Sequence, residues 1–357
     1  MKYPMIEEDR QLAGRVICTG IPGLRLDPTT RDALVQLRPS GIVLFRRNYE
    51  SVEQLRELTA ALHALPSVPL VAIDHEGGAV MRLPAPFTQF PAARSVAQTG
   101  APEFAFAVGK AMGLELASIG IDLNFAPVLD VDSNPGNPVI GERSFGATPE
   151  AVTMFALALM NGLHAGGVIS CGKHFPGHGD TDRDSHLELP VVKRPRDQLG
   201  ATELPPFRAA AAAGIPVLMT AHVLYSALDE QRPATFSRRI LRDLLRLELG
   251  YSGVIASDDL GMGAVSTHAS VPEAAVSALQ AGVDWILICN DLQQALQAAD
   301  RIAVALASDA LDRVHVVKAT ERIRRLTPSH RTPAVSLPAP EHEALNQRIR
   351  AIAARPL

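Results

Sequence analysis

A chain of 357 residues that is 47% hydrophobic and 20% charged, but only 4% aromatic, can bury a large core and suits two average domains or one large α/β barrel. Its formal charge of −4, with no block of like charge, gives no reason to expect nucleic acid or an anionic membrane as partner. No apolar segment reaches the roughly 18 residues a membrane helix needs, residues 1–9 lack the apolar stretch of a secretory signal, and Cys18, Cys171 and Cys289 sit singly in or beside apolar runs as small buried hydrophobes do in a reducing compartment, so a cytoplasmic protein is the expectation.

Taken in order, eight short apolar runs recur, at 15–19, 41–45, 70–74, 121–126, 167–174, 215–222, 253–258 and 285–290. Most are rich in Val, Ile and Leu with little alternation, which suits strands buried on both faces of a parallel sheet. Pro216 is acceptable there only at the start of its strand. The text between the runs is helical, with readable ends. Ser51 and Gln54 form a capping box. Thr148-Pro149-Glu150 and Ser270-Val271-Pro272-Glu273 pair a cap residue with an early proline and an acid. Gly120, Gly166, Gly214, Gly250 and Gly282 stand between a helical run and the next strand, where a left-handed residue ends a helix.

Eight strands alternating with helices predict right-handed crossovers and a single (β/α)8 TIM-type barrel over 10–326 with extra C-terminal helices. A doubly wound open sheet is the structural alternative. Insertions follow the third run (77–100) and the fifth (175–202). Beyond the eighth run, helical text at 291–307 and 309–326 leads to a tail over 327–357, a Pro-rich connector and a terminal helix near 341–354, expected to pack on the barrel.

The polar residues gather at one end of these strands: Asp74-His75-Glu76, Asn124, Lys173-His174, His222, Asp258-Asp259 and Asn290-Asp291. The opposite ends read mostly as glycine or apolar. In a barrel the reacting groups sit at the carboxyl ends, so this asymmetry argues for an enzyme over a binding or scaffold protein. The densest stretch, 171–186, carries His174, His178 and His186 with Asp180, Asp182 and Asp184. Three chemistries fit these residue types. A metal site could use the histidines and aspartates, although the spacing matches no metal pattern and Lys173 adds positive charge. Gly177-His178-Gly179 could cradle a phosphate, but its glycines are few and no helix start follows directly. Acid–base and nucleophilic work could use His186 with Asp184, two residues apart and on one side of an extended loop, together with Asp258 as a separate carboxylate.

Lys173-His174-Phe175-Pro176-Gly177-His178-Gly179-Asp180-Thr181 with Asp184-Ser185-His186 resembles the signature of family 3 glycoside hydrolases, and within it that of the bacterial β-N-acetylglucosaminidases. Gly41–Phe45, Asp74–Gly78, Asn124–Asp130, Gly141–Phe145 and Ser257–Met262 agree in order and spacing, so the resemblance spans about residues 10 to 300. It implies that Asp258 attacks the anomeric carbon, that His186 protonates the leaving oxygen and then activates water, and that Asp184 partners His186. It further implies that Asp74, Arg82, Arg143, Lys173 and His174 hold the sugar. The implied activity is a retaining exo-β-N-acetylglucosaminidase of peptidoglycan recycling, with neither cofactor nor metal, acting on a small carbohydrate, with a monomer favoured. A family relative acting on other β-linked sugars or using phosphate as acceptor is the second reading, and a metal-dependent barrel hydrolase the alternative of a different class. Glu76 and Asp259 read as braces, His178 as a hydrogen bonder within its loop, His222 as either pocket or core, and Asp130 and Asp132 as loop-shaping residues. His75 departs from the motif, which more often has Gln. The loop from Phe175 to Thr202 is expected to open and close over the sugar.

Overall fold

The computed structural model describes residues 7–185, 187–326 and 339–353. Its strands are β1 (Ile17–Gly20), β2 (Gly41–Leu44), β3 (Leu70–Ile73), β4 (Leu123–Asn124), β5 (Ile169–Phe175), β6 (Val191–Val192), β7 (Val217–Thr220), β8 (Leu224–Tyr225), β9 (Val254–Asp259) and β10 (Trp285–Ile288). Eight of them close a parallel barrel in the order β1, β2, β3, β4, β5, β7, β9, β10 and back to β1. All eight runs read from the sequence become barrel strands, and the open-sheet alternative falls away with the closure between β1 and β10, where Ile17 faces Ile286 and Thr19 faces Ile288. β1, β2, β3, β7 and β10 are buried along their whole length, as expected for strands with a packed interior on one side and helices on the other. Pro216 does stand just before its strand, and its carbonyl accepts the N–H of Val254 at 2.9 Å.

The helix starts hold where a side chain can reach back. The hydroxyls of Ser51 and Thr148 accept from the N–H groups of Gln54 and Ala151. The side chain of Gln54 returns to the N–H of Glu50, one residue earlier than a strict capping box requires. Of the five glycines expected at helix ends, Gly120, Gly214, Gly250 and Gly282 have positive φ, but the left-handed step after the helix Pro149–Ala165 falls on Gly167, at φ 89°, because Gly166 stays helical as the cap.

Two features place the rim. The insertion after β5, expected as a loop, contains a strand and a helix, β6 and Arg196–Thr202. β6 pairs with β8 in a separate two-stranded sheet, so the two connections after β5 and β7 are sewn together above the barrel. At the opposite end, Asp122 and Asp284 are buried at the entries to β4 and β10, which corrects the view of that end as mostly glycine or apolar. Asp122 accepts from the N–H of Val71 and pairs with His63 at 2.9 Å. Asp284 accepts from the N–H of Ile255 and pairs with Arg246 and Arg322. These carboxylates bridge neighbouring strands where the barrel interior begins.

The terminal helix runs Ala339–Ala353 and packs on the helices Ala93–Ala97 and Pro102–Ser118. Ile349 is buried there, and Arg348 lies 4.6 Å from the centre of the Phe104 ring. Most of the Pro-rich connector, 327–338, lies outside the described residues.

Candidate active site

The carboxyl ends of the strands open into a cavity of about 200 Å³ lined by Asp74, Arg82, Arg143, Lys173, His174 and Asp258. Six of the eight residues expected at the site therefore share one hollow. Of the other two, Asp184 is half-buried and outside the lining, and His186 lies outside the described residues.

A chain of ion pairs runs along one wall. Arg82 Nη2 donates to Asp74 Oδ2 at 2.9 Å, and Lys173 Nζ lies 2.5 Å from both Asp74 Oδ1 and Glu76 Oε1. Arg143 grips Glu76 with two bonds, Nε to Oε2 at 2.9 Å and Nη2 to Oε1 at 2.8 Å. Two carboxylates thus hold three cations on this wall of the cavity. Burial alone would raise the Glu76 carboxyl, but Lys173 and Arg143 outweigh it and hold it well below its ordinary range. Burial would likewise lower Lys173, yet Asp74 and Glu76 keep its ammonium charged and shift it upward. Glu76 is the brace the sequence suggested. Arg143 reaches the cavity only with its guanidinium already committed to that brace.

Asp130 has a larger part than the loop-shaping one expected of it. Wholly buried, its Oδ1 accepts the backbone N–H groups of His174 at 3.0 Å and His178 at 2.7 Å, and its Oδ2 sits 2.7 Å from His174 Nδ1. Burial works against this carboxylate, but the His174 ring and the donated bonds hold it below its ordinary value. The bond fixes the proton of His174 on Nδ1 and leaves Nε2 for the cavity that the ring lines. The signal was present in the sequence, since Asp130 closes the motif Asn124–Asp130, but residue type alone did not say what it bonds. The peptides Lys173–His174, Phe175–Pro176 and Ala126–Pro127 are cis, which the sequence did not announce.

Asp258 stands half-buried at the end of β9, its Oδ1 accepting the N–H of Asp259 at 2.8 Å. Burial pushes its carboxyl up, but His222, His174, that N–H and Lys173 together hold it below the usual carboxylate range. Asp259, also on the lining, is a brace, accepting from Cys289 N just beyond β10 at 3.0 Å and from Gly261 N at 3.1 Å. Its carboxyl is raised, chiefly by burial. The two neighbouring carboxylates are thus pushed in opposite directions. His222 proves to be a buried, satisfied histidine, donating from Nε2 to the Asp259 carbonyl at 3.1 Å and bonded through Nδ1 to Thr235. The apolar wall of Phe45, Phe125, Val139, Met219, Met262 and Leu287 was not singled out from sequence, because nothing distinguishes such residues from core.

The Asp184 carbonyl accepts from the N–H groups of Leu187 at 3.0 Å and Glu188 at 3.1 Å, and the pairing expected between Asp184 and His186 falls on a residue outside the described ones. Ser185, beside His186, does line the cavity. Its carbonyl accepts from Ala264 N at 3.2 Å, and its Oγ bonds His178 Nε2 at 3.0 Å. His178 also meets Thr181 through Nδ1, and burial lowers its pKa to about 4, so it is the intraloop hydrogen bonder expected. Among the described residues, no group of three or more His, Cys, Asp or Glu is placed to hold a metal. The loop begins on Gly179, where a Cβ would lie 1.6 Å from the Val131 carbonyl. Its base is closed by Arg194, which pairs with Asp180 at 2.8 Å and approaches Glu203 at 3.5 Å. Glu203 accepts from Ser133 Oγ at 2.7 Å, and burial pushes its carboxyl up to about 7.

A closed parallel barrel with an ionised carboxylate facing a cation-lined, sugar-sized hollow defines a class. Residues 10–326 match the model of the glycosyl hydrolase family 3 N terminal domain, and the chain belongs to that family as a glycoside hydrolase. Its similarity within the family runs to beta-hexosaminidases. The protein of that name from Neisseria meningitidis serogroup C is 43% identical over 284 residues, covering 77% of this chain and 78% of its own length. A family 3 beta-N-acetylglucosaminidase from Paenibacillus sp. str. FPU-7 superposes with a TM-score of 0.90 at 36% identity, over 96% of this chain and 68% of that one. NagZ from Neisseria gonorrhoeae, solved in complex with N-trifluoroacetyl-D-glucosamine, gives 0.82 at 37% identity, over 95% of this chain and 98% of that one. The gonococcal protein has also been solved with a zinc ion.

Proposed function

We propose that the protein is a retaining exo-β-N-acetylglucosaminidase that removes terminal N-acetylglucosamine from peptidoglycan fragments through a glycosyl-aspartate. The observation that carries this reading is Asp258, kept ionised on one side of a cavity whose other wall is the Arg82–Asp74–Lys173 set. In the first step an oxygen of Asp258 bonds the anomeric carbon as the bond to the leaving oxygen breaks, and the imidazolium of His186 gives that oxygen its proton. In the second, His186 takes a proton from water, the water oxygen bonds the anomeric carbon, and Asp258 leaves as carboxylate. Two inversions give net retention. A cationic acid suits this arrangement, because a neutral carboxylic acid would have to resist ionisation near an ionised nucleophile, whereas an imidazolium offsets that charge.

Two observations favour an amino sugar bound singly. The cavity, about 200 Å³, suits a single sugar residue rather than a polymer groove. The relatives are beta-hexosaminidases, and NagZ was solved with an N-acylated glucosamine. Ser185, next to the proposed acid in sequence, lies on the lining, which supports this reading. The expected result is turnover of an aryl β-N-acetylglucosaminide at least about a hundredfold faster, in kcat/KM, than of the matching aryl β-glucoside, a difference of about 3 kcal/mol. Equal rates would remove the N-acetyl preference and favour a broader β-glycosidase.

A further inference from the structure

Beneath the barrel, opposite the sugar cavity, a cleft of about 890 Å³ opens between the helices Arg239–Glu248 and Arg313–Leu326. Arg238, Arg242 and Arg246 follow one another at intervals of four residues on one wall, and Lys318 and Arg322 do so on the other. That spacing stacks each set along one face of its helix. The inner pair, Arg246 and Arg322, shares one buried carboxylate, Asp284, at 2.5 Å and 2.9 Å. The outer set is not neutralised. Arg232, Arg238, Arg242 and Lys318 make no ion pair among the described residues, and Asp312 is the only carboxylate on the described lining.

Residues 1–6, 186, 327–338 and 354–357 contain neither Asp nor Glu. A chain with a net charge of −4 therefore concentrates four unpaired cations in one concavity, and concave walls of one sign focus the field on whatever enters. No Phe, Tyr or Trp is on the described lining, so it lacks the large rings on which successive bases would stack. Its size is that of a small-ligand site and not of a duplex track.

We propose that this cleft binds a small, multiply charged phosphate compound, at a second site separate from the sugar cavity. The exposed outer cations would take the phosphate oxygens. The Asp284-held pair would form a fixed floor: Arg246 is further tied to the carbonyls of Tyr251 and Gly253, and Arg322, bonded through Nη1 to Asp284, would offer its other N–H donors.

The probe is inorganic pyrophosphate, titrated calorimetrically into the full-length protein at constant ionic strength, with chloride and a short single-stranded oligonucleotide as comparisons. Saturable one-site binding of pyrophosphate is expected. It should weaken at least about tenfold, roughly 1.4 kcal/mol, in R242Q and again in K318Q, while both variants keep the parent rate on an aryl hexosaminide. These positions are exposed, so the substitutions leave the core untouched, and the retained rate would report an intact barrel. Heat that tracks ionic strength alone, binding undiminished in R242Q/K318Q, or preference for the oligonucleotide would each overturn the proposal.

Discussion

Asp130 and Asp258 are both aspartates with lowered pKa values, and they reach that state by different means. Asp130 is sealed off and saturated with donated hydrogen bonds, whereas Asp258 is half-open and held down by His222 and His174, with the Asp259 N–H and Lys173 adding to them. The first arrangement fixes a neighbour, and the second leaves an oxygen available to attack. Asp130→Asn keeps an acceptor but removes the charge that holds the His174 Nδ1 proton. We expect kcat to fall about ten- to a hundredfold, with a smaller change in KM, as measured on an aryl hexosaminide. An unchanged kcat would show that the His174 tautomer is immaterial. At the same scale lies what residue type could not reveal. His174, Lys173 and Asp74 were legible because a quoted motif carries them, but the bridging position of Glu76 between Lys173 and Arg143 depends on an approach between residues 67 apart that no local pattern encodes.

The connection after β5 is the element that carries the proposed acid. Glycine and proline in its first part marked it as non-helical, yet β6, two residues long, is recognisable only by its pairing with β8. The same limit applies at β4, where an apolar run of six residues yields a two-residue strand because Ala126-Pro127 ends it. Arg194 and Glu203 close the base of this connection, and their titration offers a test. Glu203 has a folded pKa of about 7, raised from an ordinary 4.5 by burial. Such a group gives its full stability below the unfolded value and loses it as pH rises through the folded one, about 3 kcal/mol in all. Stability should therefore decline between pH of roughly 4.5 and 7, and Glu203→Gln should flatten that slope. Denaturant midpoints across that range measure it, and parallel curves for parent and variant would contradict the assignment.

At the scale of the whole molecule, the fold was readable because a parallel barrel repeats one simple grammar, an apolar strand, a rim residue, a capped helix and a glycine. Repetition allowed Gly166 to be misplaced by one residue, or a capping box to be loosened, without altering the count of eight strands. Closure was less accessible, because the meeting of β1 with β10 joins residues some 269 apart and rests on barrel geometry rather than on local text. Both ring nitrogens of His178 and Nδ1 of His174 are already bonded to protein groups, which favours the proposed metal-independent hydrolysis. Hydrolysis is expected to proceed at its full rate after dialysis against EDTA. Loss of activity that zinc restores would instead support a metal-dependent hydrolase.

The claim beneath the proposed activity is that Asp258 becomes covalently attached to the sugar. The direct measurement is peptide mapping by mass spectrometry after incubation with a 5-fluoro N-acetylglucosaminyl fluoride, whose ring fluorine slows release of the intermediate. The account predicts one sugar on the peptide containing Asp258, no adduct in Asp258→Asn, and a β-configured first product by NMR. An α-configured product, or an adduct on any other residue, would contradict it.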